Sequence, residues 1–174
     1  MPTREAIEGK LKKELVALIA HYRAMNADEL VRPCTESEAE DGEMWSPKDH
    51  LAHLVMIERS FAAMVRRGIA GDERPVGLGG GGRDQVYARV HNTNEQYVRE
   101  HKDDDLETLI ADLQAARADT LQLLSELTDE QLATPLKGAP WADGTIGGVL
   151  ITNGYHQVQH TNWVNEGLSR ALDR

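Results

Sequence analysis

Two histidines four residues apart, His156 and His160, stand in the stretch Asn153–Trp163, which reads N-G-Y-H-Q-V-Q-H-T-N-W. On a helix such residues lie one turn apart on the same face. Neutral imidazole is the commonest metal ligand among side chains, so a helical pair at this spacing makes a two-armed clamp. The pair alone is a weak signal, because polar residues at i, i+4 also arise in ordinary helices with ordinary hydrogen bonds. A second source of imidazole is W-S-P-K-D-H-L-A-H-L, Trp45–Leu54, which carries His50 and His53. Three residues apart on a helix, these two point to similar sides, and periodicity leaves both open.

Other groups with chemical potential read more blandly. Cys34 is the single cysteine; it has no basic neighbour in sequence to make a thiolate, and it permits no internal disulfide. Glu36, Glu38, Glu40, Asp41 and Glu43 form an acidic run that reads as a solvated loop. Gly79–Gly82 follows no strand and precedes no Lys-Ser or Lys-Thr, so it reads as a flexible crossover and not as a phosphate loop. Glu58 points away from His53 on the helical wheel and is assigned a salt bridge. Asn153, one turn before the pair, can orient a ligand or bond within the core. Tyr155 and Trp163 read as packing residues, with an aromatic wall as the lesser reading. Arg66, Arg67, Arg83 and Arg89 flank the crossover as solvated charges.

The elements that must position these groups are helices. Ile7, Leu11, Leu15, Leu18, Tyr22 and Met25 recur at three- and four-residue steps, which predicts a first helix over about 3–25 with Thr3 as its cap. Residues 26–44 form a polar connection with a short helical turn near Ala27–Val31. Ser46 before Pro47 starts a second helix, since the hydroxyl caps free N–H groups and proline suits the first position. Trp45 packs back on that turn. Residues 68–82 break the pattern. A helix over 83–101 follows, with Val86, Val90, Asn94, Tyr97 and His101 on one side. Leu106 to Leu127 gives the cleanest amphipathic helix. Thr128 with Gln131 is a capping box for one further turn. Residues 133–144 form a loop, and Thr145 or Asp143 caps a last helix reaching about Ala171.

This pattern predicts one all-α domain over residues 1–174: a four-helix bundle with an extra helix in the crossover between the second and third long helices. A net charge of −10 argues against nucleic acid, whose phosphates need a surplus of Lys and Arg. No apolar run is long enough for a membrane span, and residues 1–13 lack the apolar stretch of a secretion signal. The expected location is cytoplasmic.

The Trp-Ser helix start, the glycine-bearing crossover, the Leu-rich helix and the final H-x-x-x-H resemble the DinB-like metalloenzyme superfamily. The resemblance covers nearly the whole chain and is nearest the branch that includes the colibactin self-resistance protein. It implies an up-down-down-up bundle holding a divalent metal, zinc or nickel, on His53, His156 and His160. One His from one helix and an i, i+4 pair from another fill three coordination positions and leave an opening for water or substrate, as a catalytic site requires. The resemblance further implies an S-transferase using a low-molecular-weight thiol, or a hydrolase, acting on an electrophilic small molecule. It also implies a homodimer. The alternative is a non-catalytic module that sequesters a small molecule in a stress or resistance response. Replacing His50, His91 or His101 is expected to leave metal affinity unchanged.

Overall fold

A computed structural model describes residues 2–77, 79–139 and 143–172. In chain order its helices are α1 (Arg4–Ala24), α2 (Ala27–Val31), α3 (Pro47–Ile69), α4 (Arg83–Glu100), α5 (Leu106–Glu126), α6 (Asp129–Ala133) and α7 (Ile146–Leu172). Strands β1 (Thr35–Glu36) and β2 (Met44–Trp45) pair antiparallel, with Thr35 opposite Trp45. The protein is otherwise all-α among the described residues. The ladder replaces the plain connection expected there. Two-residue strands are too short to show alternation in a sequence. Residues 140–142, part of the loop expected before the last helix, lie outside the described residues.

The helix starts follow local chemistry. Ser46 accepts from the Asp49 N–H, and the Asp49 carboxylate accepts back from the Ser46 N–H at 2.8 Å, with Pro47 opening α3. Thr3 caps α1, and Thr128 with Gln131 boxes α6. For α7 the two possibilities resolve into one arrangement. Thr145 Oγ1 accepts from Gly148 N–H at 3.0 Å, while the Asp143 carboxylate accepts from the Thr145 hydroxyl at 2.6 Å.

Helix α1 packs on α7 and α5, and α3 packs on α5, α7 and α4. Two apolar clusters result. One gathers Ile7, Leu11, Phe61, Val65, Leu124, Val149 and Leu150. The other gathers Leu18, Tyr22, Leu51, Leu54, Val55, Ile110 and Leu113, with nothing from α7. At the junction Arg117 of α5 and Glu58 of α3 form a fully buried two-pronged ion pair, Nε to Oε1 at 2.8 Å and Nη2 to Oε2 at 2.9 Å. Arg117 Nη1 also donates to the Leu11 carbonyl of α1. The salt-bridge role expected of Glu58 is thus met by a partner 59 residues away.

The line Val86, Val90, Asn94, Tyr97 and His101 of α4, whose Asn and His make it unconvincing as core, is not core: only Glu95 and Val98 of α4 are buried, while Val86, Val90 and Asn94 are half-buried and face a cavity. No described helix is long and apolar enough to cross a membrane.

Candidate metal centre

Where α7 passes the start of α3, its inward residues change from Val149 and Leu150 to Asn153, His156, Gln157 and His160. His53 of α3 faces His156 and His160, with ring centroids 5.3 and 4.9 Å away. Each of the three offers one ring nitrogen such that all lie within 4.8 Å of one another. His156 Nε2 and His160 Nε2 are 3.0 Å apart. Among the described residues this is the set whose donors converge closely enough for a cation; the acidic run does not. In that run Glu38 instead meets His91 at 3.0 Å and Glu43 meets Lys102 at 2.6 Å.

Electrostatics suit a cation at this point. Burial lowers the His156 pKa to about 4, and burial together with the neighbouring His156 lowers His50 to about 4. Burial first, then the surrounding imidazoles, pushes His53 and His160 down as well. All are therefore neutral near pH 7, the form that ligates. Nδ1 of His53 and Nδ1 of His156 are buried without a hydrogen-bond partner. Four imidazoles in edge-on and tilted contact, three with converging ring nitrogens and two with orphaned nitrogens, are an unfavourable packing unless a positive charge sits among them. The donor set fits a divalent ion of the imidazole-preferring kind.

His50 belongs to the same cluster but occupies a different place. Its Nδ1 lies 2.7 Å from Nδ1 of His160, on the side of that ring away from His156, and its Nε2 lies 2.7 Å from the Thr35 hydroxyl. Trp45 walls both α3 histidines, with ring centroids 5.4 Å from His50 and 5.2 Å from His53. Trp45 is itself fixed by Glu95 of α4, whose carboxylate accepts from Trp45 Nε1 at 2.9 Å, Ser37 Oγ at 2.7 Å and the Glu43 N–H at 3.2 Å. Burial would raise the Glu95 carboxyl, but these donors and Arg99 hold it below its ordinary value. Thr35 reaches His50 because Gly167 of α7 lets the chain at Cys34 lie against it; a Cβ there would sit 2.1 Å from the Cys34 carbonyl oxygen.

The cluster opens into a cavity of ≈ 960 Å³. Its walls include Ile57 and Phe61 of α3, Val86 and Val90 of α4, and Trp163 of α7, with Gly81 of the crossover and Arg83 on the rim. Trp163 lines this cavity against His160, centroids 4.8 Å apart. Tyr155 is surface-exposed under Lys10 Nζ. Asn153 is buried with neither polar side-chain atom partnered, and so is Gln157. His101 binds Asp104 at 2.7 Å, away from the cluster. Burial, then Asp49, lifts the Cys34 thiol to about 11, away from the thiolate form at neutral pH. Of the flanking arginines, Arg66 pairs with Asp119 and Arg67 holds the Pro75 carbonyl.

Sequence reasoning missed Thr35, Glu95 and the Arg117 partner. Only Arg117 left a signal, since it falls inside the apolar stripe between Leu113 and Thr120.

A family model described as the DinB superfamily matches residues 10–164. No curated protein matches. Among solved structures, the crystal structure of an uncharacterised protein from Escherichia coli UTI89 is similar, with a TM-score of 0.65 and 18% identity over 97% of this chain and 94% of that chain. At that identity the likeness carries the fold.

Proposed function

The chain belongs to the DinB superfamily, and on that premise we propose that it is a divalent-metal-dependent enzyme, with His53, His156 and His160 as the ligands. The reading takes the ion as zinc or nickel, and the reaction as thiol-dependent S-transfer to, or hydrolysis of, an electrophilic small molecule. The observation that carries it is the convergence of three neutral ring nitrogens within 4.8 Å at the floor of a large cavity. When bound, such an ion lowers the pKa of a water or thiol and supplies a nucleophile near neutral pH. The chain's own part is placement: two arms from one helix, one from another, and an open side toward the cavity. Trp45 and Trp163 flank the imidazoles with apolar surface, and Arg83 offers a positive charge at the rim for an anionic portion of substrate or thiol.

The same reading includes an up-down-down-up helix order. Supporting it are α3–α5 pairs that advance together, Arg59 with Asp112 and Arg66 with Asp119, and α1–α5 contacts that oppose, Arg23 with Glu107 and Arg4 with the Leu124 carbonyl. It also includes a cytoplasmic homodimer, argued from family likeness; sedimentation as a monomer at micromolar concentration would remove the dimer.

The test is metal analysis of protein purified without a polyhistidine tag. One divalent ion per chain is expected, lost on replacing His156 and His160 together by alanine. Stoichiometric metal in that double variant would end the reading. A second reading, a sequestering module without turnover, is favoured by the mainly apolar cavity wall and by the lack, among the described residues, of a carboxylate hydrogen-bonded to the three imidazoles. Saturable ligand binding with no product would decide for it.

A further inference from the structure

We propose that His50 is a positioning residue that, backed by Thr35, fixes the tautomer and the ring orientation of His160. The proposal rests on the metal-centre reading above for the direction of the proton chain and for its consequence on affinity. Its geometry stands alone: Thr35 Oγ1 to His50 Nε2 is 2.7 Å, His50 Nδ1 to His160 Nδ1 is 2.7 Å, and His160 Nε2 to His156 Nε2 is 3.0 Å.

A neutral imidazole carries one proton, so each nitrogen in this chain must be either donor or acceptor. For His160 Nε2 to present its lone pair toward His53 and His156, the His160 proton must sit on Nδ1. Nδ1–H then donates to Nδ1 of His50, which must be bare. The His50 proton is therefore on Nε2 and donates to the Thr35 hydroxyl oxygen. The reversed chain would also close these three contacts, but it puts the His160 proton on Nε2, where the lone pair is needed, and the His156 proton on Nδ1, which is buried without an acceptor. Ligating histidines are held in this manner by a group on their far nitrogen, which fixes the tautomer and raises basicity. Here that group is a second histidine, itself oriented by β1. The contrast within the cluster is direct: Nδ1 of His53 and Nδ1 of His156 are buried without any such partner, so His160 is the one arm of the clamp that is braced. Burial leaves His50 little freedom to serve otherwise, since it is 2% exposed. The sequence alone expects replacement of His50 to be silent; the hydrogen bond reverses that expectation.

The experiment uses full-length protein labelled with ¹⁵N-histidine. Long-range ¹H–¹⁵N correlation in the metal-free state reports which nitrogen of His160 carries the proton. Wild type is expected to show Nδ1–H with a bare Nε2. In His50→Phe the His160 ring is expected to shift toward the other tautomer, and zinc affinity against a competing chelator to fall by roughly ten- to a hundred-fold. His50→Asn, whose Oδ1 can accept in place of the ring Nδ1, is expected to restore both. Thr35→Val, a milder change should His50→Phe fail to fold, is expected to shift the tautomer in the same direction with a smaller loss of affinity. An unchanged His160 tautomer in Thr35→Val and in whichever His50 variant folds would overturn the proposal, as would an Asn variant as impaired as Phe. Wild-type protein that takes up no zinc would remove the metal-centre reading, while the tautomer comparison would still decide the positioning role.

Discussion

Two buried polar groups lie within a few turns of each other on α3, and they are built on opposite plans. Glu58 with Arg117 is closed: the guanidinium spends three nitrogens on two carboxylate oxygens and the Leu11 carbonyl, and both side chains are 1% exposed. The histidine cluster is open: two ring nitrogens have no partner, the donors face each other, and a cavity lies beside them. A closed set holds three helices in register and has nothing left to offer. An open set costs stability, and its unspent lone pairs are what a ligand can use. The difference singles out the histidine cluster as the candidate site without reference to any relative.

The strongest break of this contrast is at the closed side. Arg117→Met leaves the Glu58 carboxylate buried and unpaired, and is expected to cost about 3–5 kcal/mol by urea unfolding. Pairing it with Glu58→Leu is expected to recover most of that loss. A cost near zero for Arg117→Met alone would show that the pair does not bind the helices together.

The next effect is pH. His50 and His156 have folded pKa values near 4, below the ordinary value of 6.5. On acidification the unfolded chain takes up protons first, so ΔG of unfolding falls as pH drops from about 6.5 to about 4 and levels off below. At about 1.4 kcal/mol per unit of depression, His156 alone withdraws about 2–3 kcal/mol across that window. The metal-free wild type should lose that much more than His156→Leu between pH 7 and pH 4, read from parallel denaturation curves. Equal slopes would refute it.

Gly167→Ala probes how the open set is held. The added Cβ meets the Cys34 carbonyl, so the variant is expected to lose about 1–3 kcal/mol and to loosen Thr35 from His50. The closed pair should not respond. The smallest change has the opposite sign. At pH 7.5, His53→Leu removes an orphaned buried nitrogen, with no side-chain hydrogen bond lost among the described residues, and should stabilise the metal-free protein by about 1 kcal/mol. Destabilisation instead would mean that the cluster is satisfied as it stands.

The closed set could not be read from the sequence, and the open set largely could. His156 and His160 announce themselves by spacing, and Ser46-Pro47 marks the start of the helix that brings His53. Caps and apolar steps likewise gave α1, α3, α5 and α7 nearly to their ends, since these signals are local. Glu58 and Arg117 are 59 residues apart, and no local signal joins them. His50 and His53 stayed ambiguous because residues three apart on a helix share a face. What separates their roles is β1, whose Thr35 engages His50, and β1 is too short to be seen in the sequence. Glu95 left no signal because its donors come from a segment fifty or more residues upstream.

The shallow seating of α4 has a kinetic consequence. This helix buries only Glu95 and Val98, packs chiefly on α3 among the long helices, and is joined to α3 by a crossover with positive φ at Gly77, Gly79 and Gly81. A segment with so few buried contacts sits at the low end of local unfolding free energies. Its amides should therefore exchange with solvent deuterium well before those of α3 and α5, in a sub-global opening that leaves both apolar clusters intact. Because α4 carries Val86 and Val90, that opening widens the cavity, so ligand entry should respond to the excursions of one helix before it responds to the stability of the whole molecule.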